Sequence, residues 1–310
     1  MRVAILGAGG VGGLIAGALE RAGNETIVVA RPSTARVINE RGLHVTSVRL
    51  GSFVAHPRAV ECLQEPADAL IVSPKATALA QALERIEIVP PLLLALLNGL
   101  DHIALLRDRF AGDTRVVAGA IRVESDRPTA ATIVHTSPFL RIDMACAEPT
   151  ARDGMELLAQ ALNEAEIPAR ILDSEAQVMW GKLVRLNALA CTTSAHDKLL
   201  GEIRSTQRLR AELYGAIREA CEVAVREGAQ IEPESAIAEL QDAHATLGSS
   251  MQRDIAAGRA PELDAIPGAV LRAAARHGIA CPTIERLVGL IAARAGVPAP
   301  AVSQRASGLT

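Results

Sequence analysis

The chain has 310 residues, a net charge of −3, and 49% hydrophobic against 22% charged residues. This is an ordinary globular balance with length for two domains of about 150 residues each. The near-neutral charge offers no field to attract nucleic acid or an anionic membrane, and aromatics at 2% leave almost nothing for base stacking. Cys62, Cys146, Cys191, Cys221 and Cys281 are scattered without a CxxC pair, which argues against a disulfide framework and a structural zinc site. The His residues are isolated as well, so no metal is expected. The N-terminal "MRVAILGAGG" lacks a long apolar leader core. The run "IVPPLLLALLNGL" is broken by Pro90 and Pro91 and is too short to span a bilayer. The expectation is a soluble cytoplasmic protein.

In chain order, "RVAIL" at 2–6 reads as a buried strand, 11–22 as a helix and "TIVVA" at 26–30 as the next strand. A short helix follows Pro32. The alternation in 43–57 suggests a small hairpin. "ALIVS" at 69–73 is another strand, followed by a helix, a strand in "LLLALLN" at 92–98 and a helix near 101–110. Residues 115–121 and 131–145 read as further strands that finish the sheet with antiparallel members. Strand and helix in alternation indicate an α/β Rossmann-type domain, doubly wound around a mainly parallel sheet. After about 173 strand signals vanish and helical patterns take over, which predicts an all-α C-terminal domain. The expected division is 1–172, a dinucleotide-binding domain, 173–296, a helical substrate and dimerisation domain, and 297–310, a flexible tail.

"ILGAGGVGG" contains GxGxxG as Gly7, Gly9 and Gly12. It follows a predicted strand and opens a helix, the context that makes the motif informative. Gly7 permits the tight turn, Gly9 lets backbone N–H groups approach a pyrophosphate, and Gly12 allows close packing of helix on strand. An NAD site usually carries an acid at the end of the second strand. Here "VVARPS" places Arg31 there. A guanidinium suits a 2′-phosphate, so NADP(H) is the expected cofactor; the competing reading is a solvated surface arginine. Lys75 in "IVSPK" and Asn98 in "LALLNG" fall at strand ends, where such sheets bind ligands.

In the helical half, Val178, Lys182, Leu186, Leu189 and Thr193 share one helix face. An unpaired ammonium in a dry core is costly, so Lys182 calls for a polar surrounding. Glu262 in "GRAPELD" is a candidate partner, or else a first-turn acid that favours a helix dipole.

These residues resemble the ketopantoate reductase (2-dehydropantoate 2-reductase) family. The resemblance covers most of the chain: the N-terminal glycines, Arg31, Lys75, "NG" at 98–99, "WGKL" at 180–183 and, most specifically, "SSMQRDIAAGRAPELDAIPGAVLRAAARHGIACPTIERL" at 249–287. It implies a Rossmann domain, an all-helical domain and an active site in the cleft between them. The implied reaction is NADPH-dependent reduction of a 2-keto acid, ketopantoate to pantoate in pantothenate biosynthesis. The family's general-acid lysine falls on Lys182, its acidic partner on Glu262 and its substrate serine on Ser250. Its strand-end lysine and asparagine fall on Lys75 and Asn98, as contacts to cofactor and substrate. A homodimer through the helical domain is also implied, with no nucleic-acid or membrane partner.

The sequence departs from the family where Asn is usual, at Leu186, Ala190, Leu200 and Leu247, and "SPFLRIDMA" replaces a glycine-rich strand. Asn187 lies one position beyond the expected Asn; one residue is about 100° of helix, so it is a substrate contact only if the register shifts. These replacements raise a second expectation, a more apolar keto acid or other carbonyl substrate. A third is an NADPH-binding sensor without turnover, against which the retained pair Lys182 and Glu262 speaks.

Overall fold

The apolar runs of the first half form strands buried on both faces, as a parallel sheet covered by helices requires. In the computed structural model, which describes residues 1–302, β1 (Arg2–Leu6) leads through α1 (Gly10–Arg21) to β2 (Glu25–Val29) and α2 (Pro32–Arg41). Next come the hairpin β3 (Leu43–Ser47) and β4 (Gly51–Ala55), the short β5 (Arg58–Val60), β6 (Ala69–Val72), α3 (Leu79–Leu83) and β7 (Leu92–Ala95). The chain continues through α4 (His102–Arg109), β8 (Arg115–Arg122), β9 (Ser125–Thr129), β10 (Thr132–His135), β11 (Arg141–Ala145), α5 (Arg152–Glu164) and β12 (Ala169–Ile171).

The main sheet has the order β12-β11-β8-β7-β6-β1-β2-β5. Neighbours from β5 to β8 are parallel, β11 is antiparallel to β8, and β12 is parallel to β11. The strand order reverses beside β1, with β2 on one side and β6 on the other. Ligands bind outside the carboxyl ends at such a switch point. The doubly wound α/β fold is therefore the one expected.

One expectation is corrected. Residues 131–145 do not all finish the main sheet. Only β11 joins it. β10 pairs with β3 and β9 in a separate sheet of order β4-β3-β10-β9. The physical reason lies in α1, which has two faces to cover. A Cβ at Gly13 would run into the Ile133 side chain, and one at Gly17 would crowd Val45 and Phe53. The small sheet thus lies directly on the glycine face of α1.

The chain divides into two units. The first holds Met1–Leu97 and His102–Val178; the second holds Asn98–Asp101 and the chain from Met179 onward. The helices of the second half are α6 (Glu175–His196), α7 (Leu200–Ser205), α8 (Gln207–Arg226), α9 (Pro233–Asp242), α10 (Ser250–Ala256), α11 (Ala269–His277) and α12 (Pro282–Ala295). In the second unit α8 is central, against α7, α9, α11 and α12. Between α10 and α11 the backbone makes a wide turn over Asp264–Gly268. There the Gly268 N–H reaches the Leu263 carbonyl five residues back, at 3.1 Å. Pro267 has no N–H to give, so a widened turn there is a physical consequence of the sequence.

The expected tail is partly packed. Pro300 lies beside Gly268, and the Ala301 carbonyl accepts from Arg272 at 3.4 Å. The rest of it lies outside the described residues. Among those described, no helix is long and apolar enough to cross a membrane.

Candidate active site

In the first unit the glycine loop follows β1 at the switch point. Gly7 has φ +101°, a conformation that other residues adopt only with strain. A Cβ at Gly12 would collide with the Gly7 carbonyl, whereas one at Gly9 would meet nothing within 4 Å. The loop is therefore tight beneath and open above Gly9, at the N-terminus of a 12-residue helix. This is the form of a pyrophosphate cradle. Ser73 fastens it from the end of β6, donating to the Gly7 carbonyl at 3.1 Å and lying 3.2 Å from that of Leu6. Pro74 packs against Gly7, which sets the exposed Lys75 beside the loop. Arg31 is exposed at the start of α2, just past β2, with the extended backbone of an N-cap.

The second unit gathers three more of the expected residues. Lys182 Nζ donates to Asn98 Oδ1 at 2.9 Å, and Asn98 Nδ2 donates to Glu262 Oε2 at 2.9 Å. Lys182 comes from α6, Glu262 from the segment before the wide turn, and Asn98 from the loop beyond β7. The two bonds fix the Asn98 amide. Its oxygen must face the ammonium and its NH₂ the carboxylate, since the flipped amide would set donor against donor and acceptor against acceptor. Glu262 is buried at 5% exposure, a position that a carboxylate tolerates only with such donors. Asn98 thus bridges Glu262 and Lys182.

Neighbouring backbone holds this chain of bonds in place. Gly99 has φ +89°, and a Cβ there would collide with the Ala265 carbonyl. Arg272 joins both segments, with Nη2 at 2.6 Å from Asp101 Oδ2 and Nη1 at 2.8 Å from Asp264 Oδ1.

The remaining candidates fall differently. Ser250 is the first residue of α10 and half-buried. The capping role belongs to Ser249, which accepts from the Gln252 N–H at 3.1 Å and from Thr193 Oγ1 at 2.8 Å. The Ser250 hydroxyl is left without a hydrogen bond among the described residues. Asn187 is not brought to the group. It is fully buried, its Oδ1 takes only a weak contact from Cys191 Sγ at 3.5 Å, and its Nδ2 has no partner among the described residues. The helix keeps its register: five residues from Lys182 is about 140° around it, which turns Asn187 into the core. Of the four apolar replacements, Ala190, Leu200 and Leu247 are buried and only Leu186 is partly exposed, about 40° around α6 from Lys182.

Family models match both halves of the chain. One described as "Ketopantoate reductase PanE/ApbA" matches residues 3–148, and one described as "Ketopantoate reductase PanE/ApbA C terminal" matches 176–295. The chain belongs to the ketopantoate reductase family. It is accordingly an oxidoreductase acting on CH–OH groups. It is similar to the 2-dehydropantoate 2-reductase of Halobacterium salinarum, 28% identical with 94% of this chain and 98% of that one covered. A solved 2-dehydropantoate 2-reductase from Geobacter metallireducens superposes with a TM-score of 0.86 at 26% identity, covering 94% of this chain and 99% of that one. The structure described as D-mandelate dehydrogenase with NADH and anilino(oxo)acetate has the same fold, with a TM-score of 0.86 at 20% identity, covering 96% of this chain and all of that one.

Several residues of this family member escape sequence reading. Gly10, Gly99, Asp101 and Arg272 position the loops, and for Asn98, an expected site residue, it is the bonds to both Lys182 and Glu262 that the sequence does not show. The signals available were weak. Gly99 stands in an "NG" pair that suggests a turn, and nothing local ties Asp101 to Arg272 across 171 residues.

Proposed function

We infer that the protein uses NADPH to reduce a 2-keto acid to a 2-hydroxy acid, with ketopantoate to pantoate as the first candidate reaction, a step of pantothenate biosynthesis. The observation that carries this reading is the chain of bonds Lys182–Asn98–Glu262. A nicotinamide dinucleotide suits the glycine loop, with Gly7, Gly9 and Gly12 shaping the cradle, Arg31 at the 2′-phosphate and Lys75 beside the cofactor. When bound, the nicotinamide supplies a hydride to the carbonyl carbon. The carbonyl electron pair then moves onto its oxygen. Lys182 Nζ stabilises that charge and donates the proton that completes the hydroxyl. The amine regains its proton from water. Asn98 aims the ammonium, and Glu262 holds Asn98. The unspent Ser250 hydroxyl suits the substrate carboxylate. A homodimer belongs to the same reading, and analytical ultracentrifugation tests it.

Leu186 favours a second reading. It stands on the Lys182 side of α6 where the family usually has Asn, and an apolar side chain there suits a keto acid with an apolar substituent.

The test is NADPH oxidation at 340 nm with ketopantoate and a panel of 2-keto acids, repeated with NADH. Turnover with ketopantoate supports the first reading, and turnover confined to an apolar keto acid supports the second. Lys182→Ala is expected to lower kcat by about 100- to 10,000-fold while NADPH binding survives. Unchanged turnover would remove Lys182 from the mechanism. Tight NADPH binding with no turnover on any carbonyl would favour a sensor.

A further inference from the structure

The small sheet ends on a strand that belongs to the glycine loop as much as to the sheet. Ser125, the first residue of β9, donates its hydroxyl to the Gly10 carbonyl at 2.8 Å. A Cβ at Gly10 would collide with the Ser125 carbonyl. β9 therefore starts in direct contact with the first turn of α1. Ser125 and Arg127 are half-buried, while Asp126 and Pro128 are exposed. Arg127 thus lies half-buried, two residues along the chain from the contact between Ser125 and the glycine loop.

Among the described residues nothing neutralises this guanidinium by contact. Asp126 attracts it, but Asp126 Oδ1 is engaged with the Arg127 backbone N–H at 2.8 Å. Among the described residues the side chains of Arg127 and Arg31 have neither a hydrogen-bond nor an ion-pair partner. The two are also close enough to repel. Burial and the positive charge of Arg31 together hold the Arg127 pKa below the ordinary arginine value. Two like charges kept together, one of them half-buried, are stabilised when an anion lies between them.

We propose that Arg127 is a second guanidinium for the 2′-phosphate of NADPH, acting with Arg31 to set the preference for NADPH over NADH. The proposal rests on the NADP reading above. A dianionic phosphate can accept from two planar guanidiniums at once, which a ribose hydroxyl cannot match. β9, with no large apolar residue and a proline at its fourth position, is then kept as a strand by pairing with β10, and it carries Arg127 to the cofactor.

The test is the dissociation constants of NADPH and NADH, from quenching of intrinsic fluorescence, for the unaltered protein, Arg127→Gln, Arg127→Lys and Arg31→Gln. A charge-assisted bond of this kind corresponds to about a 10- to 100-fold loss. Arg127→Gln is expected to weaken NADPH by that factor and to change NADH by less than about 2-fold. Arg127→Lys should keep part of the discrimination. The ratio of the two constants does not depend on the fraction of protein folded, so a stability loss cannot imitate the result. Equal weakening of both cofactors, or no weakening of either, would overturn the role of Arg127 while leaving the NADP reading intact. An unaltered protein that binds the two cofactors equally would overturn the NADP reading and this proposal with it.

Discussion

At the residue scale the site depends on an amide. Asn98 stands between an ammonium and a buried carboxylate, and its two ends are chemically different, so it can bridge them in one orientation only. Asn98→Ala should lower kcat by about 10- to 100-fold, the value of a hydrogen bond to a charged group. Glu262→Gln keeps an acceptor and loses the charge, so a smaller loss is expected. If Glu262 acts through Asn98, adding Glu262→Gln to Asn98→Ala should cost little more. Steady-state kinetics of the single and double variants measure this, and full additivity would sink the idea. Asn187 gives the opposite expectation. Its buried amide nitrogen has no partner among the described residues, so Asn187→Leu should leave kcat/KM within about 2-fold and keep or raise the melting temperature. Lys182 and Glu262 are legible in the sequence, the first as a lysine on an apolar stripe and the second by resemblance. The bridging role of Asn98 is not, because its partners lie 84 and 164 residues away.

At the scale of elements, legibility follows side-chain chemistry. β1, β2, β6 and β7 are nearly continuous apolar runs and can be read directly. β9, "SDRPT", cannot, since only its pairing with β10 makes it a strand. β5 and β12 are three residues each, too short to carry a pattern. α5 has Met155, Leu158, Ala159 and Leu162 at helical spacing, a usable signal that the expected elements leave out. The loop Asn98–Asp101 and the wide turn Asp264–Gly268 act as one piece, joined by the close backbone approach at Gly99 and by Arg272. Gly99→Ala combines a left-handed φ with a collision against the Ala265 carbonyl. It should cost about 1–3 kcal/mol in urea unfolding and more than 10-fold in kcat. Gly112→Ala is the control. Its φ is +114° but a Cβ would meet nothing within 4 Å, so stability should fall by about 1 kcal/mol with turnover unchanged.

For the whole molecule, the five cysteines are free and report on both units. Cys62 and Cys146 are half-buried in the first unit; Cys191, Cys221 and Cys281 are buried in the second. Burial raises the Cys191 thiol far above its usual range. It also pushes Cys221 up to about 11 and Cys281 up to about 12, with nearby glutamates adding to the shift. The thiolate is the reactive form. Iodoacetamide at pH 8 should therefore label Cys62 first and leave the second unit unlabelled until it opens. Pulse labelling in urea, read by mass spectrometry, would then show whether the units unfold together. Early labelling of Cys191 in the native protein would contradict this picture.

The assignment of Asn98–Asp101 to the helical unit also bears on how the gene could be divided. The polypeptide passes from the first unit into the second, returns, and leaves again within α6. No single cut separates two intact halves. A fragment ending near residue 172 would hold the glycine loop and Asn98 without Lys182 and Glu262, and a fragment starting there would hold Lys182 and Glu262 without their bridge. Splitting the gene at that boundary should give two pieces that are each inactive, and activity should return only when they are expressed together. Duplication or swapping of the helical half between family members would meet the same obstacle, because one of its site residues is encoded inside the other half.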